Sequence, residues 1–234
     1  MNKISLNKIS LKILLLTSLI LVNITSTVWA EDNTSTPAES PKQSTSILEA
    51  ILSLFKSPER RFISRGDRVC LISPGDLREQ LIWSDRPLFI WQGEIPESKI
   101  NLTKSAENPG EKEQLVWTQI VSENTQTIAY TGEALQPGTY YWELISDGKT
   151  DGRVITLMTE SRREAIAAEL TALENKLEND GATEEDIAIA KADYFVRQKL
   201  GSDALQQLYS VSNPSPRLTA QIIEIEQHLC QIDE

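Results

Sequence analysis

Apolar residues follow two different periods along this chain. Between Arg68 and Met158 they alternate with polar ones in short runs, separated by Pro, Gly, Asn and Asp. The runs fall at about 69–73, 80–84, 87–93, 98–104, 114–121, 125–131 and 139–146, with a last one near 152–158. Period two with closely spaced turn signals predicts an antiparallel β-sandwich over 62–158. Trp91, Trp117 and Trp142 each sit inside such a run, with Phe89, Leu115, Tyr140 and Leu144 two positions away. One face of each strand is therefore expected to be aromatic and aliphatic, as a sandwich interior requires.

From Thr159 the period lengthens to that of helices, which predicts a helical domain over 159–234. Ser161 with Glu164 has the spacing of a capping box, and Ile166, Leu170, Leu173 and Leu177 form a stripe that stops at Asn179-Asp180-Gly181. A second helix is expected from Thr183 to about Lys199, through Ile187, Ala190, Tyr194 and Phe195. Gly201-Ser202 breaks it, and a third helix carries Ala204, Leu205, Leu208 and Val211. Asn213-Pro214 ends the third, Ser215 caps the fourth, Pro216 takes its first position, and Leu218, Ile222, Ile225, Leu229 and Ile232 make its stripe. The fold class is α+β, an antiparallel sandwich followed by a small α-helical bundle.

The amino-terminal end reads differently again. Lys3, Lys8 and Lys12, the apolar run Ile13 to Val22 and the small-residue exit Val28-Trp29-Ala30 predict a signal peptide over 1–30. The apolar stretch is too short for a stable span, so no lasting membrane insertion is expected after cleavage. Residues 31–46, rich in Ser, Thr, Pro and acids, read as a disordered linker. Residues 47–57 read as a short amphipathic helix, with Ile47, Ile51, Leu54 and Phe55 on one face.

Removing residues 1–30 takes three Lys and no acid from a chain of 34 acidic and 23 basic side chains, which leaves a formal charge of −14. No basic cluster exceeds Arg60-Arg61 or Arg162-Arg163. Nucleic acid is thereby disfavoured as a partner, because phosphate neutralisation needs clustered Lys and Arg. Export makes a disulfide between Cys70 and Cys230 possible, closing a loop of about 160 residues; the alternative is two small buried hydrophobes.

Candidate chemistry is sparse. His228 is the single histidine, and its position two from Cys230 on a helix does not let the two side chains face each other. Asp147 to Gly152 has acids and glycines but lacks a calcium loop's ligand series, and Asp-Gly is an ordinary hairpin signal. Glu184-Glu185-Asp186 lies in a helix's first turn, where negative charge complements the dipole. The segment Ser105 to Glu113 reads as a solvated hairpin loop. No catalytic, cofactor or metal residues are assigned.

Leu135-Gln136-Pro137-Gly138-Thr139-Tyr140-Tyr141-Trp142-Glu143-Leu144 resembles the corner between two strands in fibronectin type III and other immunoglobulin-like domains. That resemblance gives Tyr140 the role of bonding back to the corner backbone, with Trp91 as the early-strand core residue and Trp142 beside it. Ala192, Phe195, Ala204, Leu208, Val211 and Pro216 are similar in spacing to one tetratricopeptide repeat. Asp85-Arg86-Pro87-Leu88-Phe89-Ile90-Trp91, the Leu135 to Trp142 corner and Leu200-Gly201-Ser202-Asp203-Ala204-Leu205 together resemble a cyanobacterial exported family of unknown function. This chain has Gly201 where that family's pattern carries an aromatic.

These readings lead to an exported, non-enzymatic interaction or adaptor protein, periplasmic or extracellular, that binds a protein or peptide partner in the cell envelope. Tyr194 and Tyr209 are candidates to carry such binding. A carbohydrate or envelope-polymer binding module is the alternative, and it would use exposed Trp83 or Trp117.

Overall fold

The alternating segments fold into two sheets because each strand has one apolar and one polar face, and only face-to-face stacking removes the apolar faces from water. A computed structural model describes residues 47–55, 69–75, 80–93, 95–96 and 98–231. All of them belong to one compact unit that spans Gln43–Glu234. The expected signal peptide and linker lie outside the described residues.

The strands are β1 (Cys70–Ser73), β2 (Leu81–Ile82), β3 (Leu88–Gln92), β4 (Ser98–Lys104), β5 (Gln114–Val121), β6 (Thr127–Ala129), β7 (Gly138–Ser146) and β8 (Lys149–Leu157). Sheet A has the order β1-β3-β6 and sheet B the order β2-β8-β7-β4-β5. All pairs are antiparallel except β2 with β8, which run parallel. This one short pair departs from the antiparallel pattern that the rest of the sandwich follows. Its reason is that the chain crosses from sheet A to the edge of sheet B after β1 instead of turning back as a hairpin. Gly75 makes that crossing possible: its φ is +83°, and a Cβ there would meet Ile155 and the Val154 carbonyl at 2.7 Å.

The interior between the sheets holds Leu71, Phe89 and Trp91 from sheet A against Ile100, Leu102, Tyr140, Trp142, Leu144, Ile155 and Leu157 from sheet B. Phe89 meets Trp142 edge-on at 5.0 Å and stacks on Trp117 at 5.5 Å. One inward assignment fails. Leu115 was expected beside Trp117 on the inner face, but a bulge opposite Leu102 and Thr103 makes Val116 an extra residue and leaves Leu115 55% exposed.

Helices cover the other face of sheet A. They are α1 (Ile47–Phe55), α2 (Glu160–Asn179), α3 (Glu184–Arg197), α4 (Gly201–Tyr209) and α5 (Pro216–Gln231). Ile72 and Ile90, with Cys70 and Leu88, turn away from the sandwich interior and join Ile47, Ile51, Phe195, Leu205, Leu208, Leu218 and Ile225 in a second core. Helix α1 thus precedes the sandwich in sequence and docks with the helices that follow it, against α3, α4 and α5. The protein is α+β in three layers: helices, sheet A, sheet B.

The start of α2 differs from expectation. Its N-cap is Thr159, without a side-chain cap bond, so Ser161 lies inside the first turn and forms no box with Glu164. The helix is set instead by Arg163, whose side chain is committed to the sandwich, as described next. A capping box does occur at α3, between Thr183 and Asp186.

Candidate functional site

The segment between β2 and β3, Trp83-Ser84-Asp85-Arg86, is where sandwich and helices are fastened together. Asp203 of α4 is buried, and its two carboxylate oxygens accept the backbone N–H groups of Trp83 and Ser84, each at 2.8 Å. Arg163 of α2 donates through Nε to the Trp83 carbonyl at 2.9 Å and pairs with Asp85 at 2.6 Å. The Trp83 indole returns a bond from Nε1 to the Arg163 carbonyl at 3.0 Å. Gln206 Nε2 donates to Ser84 Oγ at 3.2 Å and to the Arg86 carbonyl at 3.0 Å, and Ser202 Oγ accepts from the Gly75 N–H at 3.1 Å. Residues 83–86 and 203–206, which overlap the ends of the two stretches Asp85 to Trp91 and Leu200 to Leu205, therefore meet.

Burial pushes the Asp203 carboxyl up to about 6, against the pull of the Trp83 and Ser84 N–H groups and Arg163. This acid holds a loop in place. Glu184, Glu185 and Asp186 are also structural, beyond any effect on the helix dipole. Glu184 accepts from Ser212 N and Oγ at 2.9 and 3.1 Å, Glu185 from Ser215 N and Oγ at 2.8 and 2.7 Å, and Asp186 from Thr183. Glu184 and Glu185 tie the α4–α5 connection to the start of α3, and Asp186 caps that helix.

Helix α5 is fastened to sheet A. Cys70 of β1 and Cys230 of α5 form a disulfide, with their Cα atoms 5.8 Å apart. Cys230 therefore has no thiol to pair with His228. One turn earlier, Glu226 accepts from Gln92 Nε2 at 3.3 Å and from the Tyr209 hydroxyl, and burial raises its pKa. Tyr209 is half-buried in this contact. Tyr194 is buried too, and its hydroxyl donates to Glu169 at 2.8 Å; desolvation, with Glu169, pushes it up to about 12. Neither tyrosine presents a free ring.

The corner residue Tyr140 is 2% exposed and donates its hydroxyl to the Gln136 carbonyl at 2.6 Å. Trp142 Nε1 donates to the Pro74 carbonyl at 2.8 Å. Trp91 is fully buried, and its Nε1 has no hydrogen-bond partner among the described residues. Trp83 and Trp117 are both half-buried: Trp83 lies 5.4 Å from Phe195, and Trp117 bonds to Thr131 Oγ1 at 3.2 Å. Asp147-Gly148 forms the β7–β8 hairpin turn, with Ser146 paired to Lys149. The 105–113 loop is ordered by Glu111, which accepts from the Glu107 and Asn108 N–H groups at 3.2 Å.

The outer face of sheet B is an exposed surface whose side chains are not engaged in joining sandwich to helices. Three cross-strand rows span it: Leu115-Thr103-Tyr141-Val154, Thr118-Asn101-Glu143-Gly152 and Ile120-Lys99-Ile145-Thr150. The middle row is a polar ladder, with Thr118 Oγ1 donating to Asn101 Oδ1 at 2.9 Å and Asn101 Nδ2 to Glu143 at 3.0 Å. The phenol end of Tyr141 covers Gly152, where a Cβ would lie 2.2 Å from the hydroxyl. Leu115, Ile120 and Tyr141 are exposed here, so most of the described chain's exposed large hydrophobics share one face. Sequence reasoning missed this surface, because its apolar members come together only through the bulge at Val116.

No protein-family model matches the chain, and no curated protein matches it. Among solved structures, a superoxide reductase (neelaredoxin) from Ignicoccus hospitalis is similar at 14% identity and a TM-score of 0.28, covering 45% of this chain and 96% of that one.

Proposed function

We propose that this is an exported, non-enzymatic interaction or adaptor protein of the periplasm or cell envelope that binds a protein or peptide partner. The observation that carries the reading is the outer face of sheet B, where Leu115, Ile120 and Tyr141 are exposed around the Thr118-Asn101-Glu143 ladder. The side chains that could have suggested chemistry hold structure instead: Asp203, Glu184, Glu185, Glu226 and Cys230 each fasten one segment to another. Export is argued from the Lys3 to Ala30 pattern and agrees with the disulfide, which persists in oxidising compartments. No helix among the described residues is long and apolar enough to cross a membrane. The resemblance to a cyanobacterial exported family of unknown function, argued from the Asp85 to Trp91 and Leu200 to Leu205 stretches, belongs with this reading.

The alternative, carbohydrate or envelope-polymer binding, now rests on Tyr141, since Trp83 and Trp117 are packed against neighbours. An exposed phenol beside Asn101, Glu143 and Thr118 on the sheet face has the ingredients of a sugar platform. One experiment separates the two. The full chain with a carboxy-terminal tag is produced in its own organism, cross-linked in the envelope and purified. Reproducible recovery of one protein supports the adaptor reading; recovery only with insoluble wall or polysaccharide, lost on Tyr141→Ala, overturns it in favour of the polymer.

A further inference from the structure

Among the described residues strand β5 is hydrogen-bonded to β4 alone, so its other side is an edge of sheet B. No further backbone–backbone bond of residues 114–121 occurs among the described residues, and the Ile120 carbonyl accepts from Gln119 Nε2 at 3.0 Å. The opposite edge of the same sheet is β2, only two residues long. Proteins protect a long edge strand with a charge, a proline or an inward-pointing ionisable group, because its unpaired N–H and C=O groups are a template for another strand. Residues 114–121, QLVWTQIV, contain none of these over eight residues. A bulge that should twist an edge away instead brings Leu115 and Ile120, five positions apart, to the same face, where they are 55% and 63% exposed.

The flanks of β5 say what should pair there. Glu113 precedes the strand and Glu123 follows it, both exposed and without a described hydrogen bond or ion pair. Two copies of this chain pairing antiparallel through β5 would set the Glu111-Lys112-Glu113 stretch of one, net negative, near Glu123 of the other, which like-charge repulsion disfavours. The strand that β5 already accepts on its other side is itself alternating and carries a Lys near each end. In β4, SKINLTK, Ile100 and Leu102 face the interior opposite Gln119 and Trp117, Thr103 lies opposite Leu115, Lys99 opposite Ile120 and Lys104 opposite Gln114.

We propose that the open edge of β5 binds an extended segment of a partner protein as a sixth strand of sheet B, a segment with alternating apolar residues and a basic residue at each end. Main-chain bonds to β5 supply the pairing, apolar side chains of the segment cover Leu115 and Ile120, and its basic ends meet Glu113 and Glu123. The inference rests on the adaptor reading and gives that reading a site.

The probe is a fluorescent, end-blocked peptide SKINLTK, titrated against the purified full chain by anisotropy, with a control peptide in which both Lys are Glu. Saturable binding of the Lys-ended peptide is expected, weaker by about tenfold or more for the Glu-ended one and for the Leu115→Lys, Ile120→Lys double variant. Both substituted positions are exposed, and an unchanged unfolding midpoint verifies the fold. The Glu113→Lys, Glu123→Lys variant should reverse the preference toward the Glu-ended peptide. Amide exchange should slow in β5 on binding and stay unchanged in β2. No binding, equal binding by the double variant, no reversal, or concentration-dependent self-association that protects β5 would each overturn the proposal. If the double variant still captures the same envelope protein as the wild type, the adaptor reading stands without β5; if neither captures any protein, that reading fails on its own.

Discussion

Trp83 and Arg163 exchange two hydrogen bonds across the junction between sandwich and helices, indole Nε1 to the Arg163 carbonyl at 3.0 Å and guanidinium Nε to the Trp83 carbonyl at 2.9 Å. The residues are eighty positions apart in sequence, and the same guanidinium pairs with Asp85 at 2.6 Å. A single side chain thereby fixes where α2 begins and how the β2–β3 connection lies on it. Arg163→Ala should destabilise the protein by about 1–3 kcal/mol, because the part-buried Trp83 carbonyl loses its donor and Asp85 its partner. Urea unfolding measures this, and Arg163→Lys should recover little, since one ammonium cannot serve both Trp83 and Asp85 in a fork.

Asp203 should be more sensitive still. Asp203→Ala leaves the Trp83 and Ser84 N–H groups buried without acceptors, at a cost of about 2–5 kcal/mol. Its pH dependence has a definite sign. The folded pKa, about 6, lies above the ordinary value of 3.8, so folding takes up a proton in that window. The contribution is fully present below about pH 4 and is lost as pH rises through about 6. Relative to Asp203→Asn, wild-type stability should fall by about 2 kcal/mol from pH 4 to 7. Chemical unfolding of both proteins from pH 4 to 7 gives the difference directly.

The Cys70–Cys230 bond closes a 160-residue loop and clamps the last helix to the first strand. On the chain-entropy account its loss costs up to about 5 kcal/mol. The double variant Cys70→Ala, Cys230→Ala should show this in guanidinium unfolding, and unfolded wild-type protein should titrate no free thiol until reductant is added.

Tyr140→Phe removes only the hydroxyl that donates to Gln136. A loss of about 1–2 kcal/mol is expected, with the native near-ultraviolet spectrum retained, because the ring still fills its place between the sheets.

Local order was legible in the sequence, and long-range polar order was not. β4 and β5 run over 98–104 and 114–121, where alternation placed them, since inward Ile100, Leu102 and Val121 leave no freedom of register. The Tyr140 corner was legible because its bond to Gln136 spans four residues. Parallel β2 was not, because a two-residue strand carries no period. Ser161 with Glu164 looked like a helix start, but Arg163 overrode that local signal through partners in the sandwich. Glu184 and Glu185 gave no sign of their task, since Ser212 and Ser215 reach them only once α3, α4 and α5 are assembled. The outer face was hidden for the same kind of reason: Leu115 reads as a neighbour of Trp117 until the extra residue at Val116 turns it outward.

The most direct test of the account replaces Ile120 with a photo-cross-linking amino acid in the living organism, followed by mass spectrometry of the cross-linked product. The account predicts a single envelope protein, joined to Ile120 through one extended segment with basic ends, and the loss of that product when Leu115 is changed to Lys. Cross-links to polysaccharide alone, to a second copy of this chain, or to no molecule would contradict it.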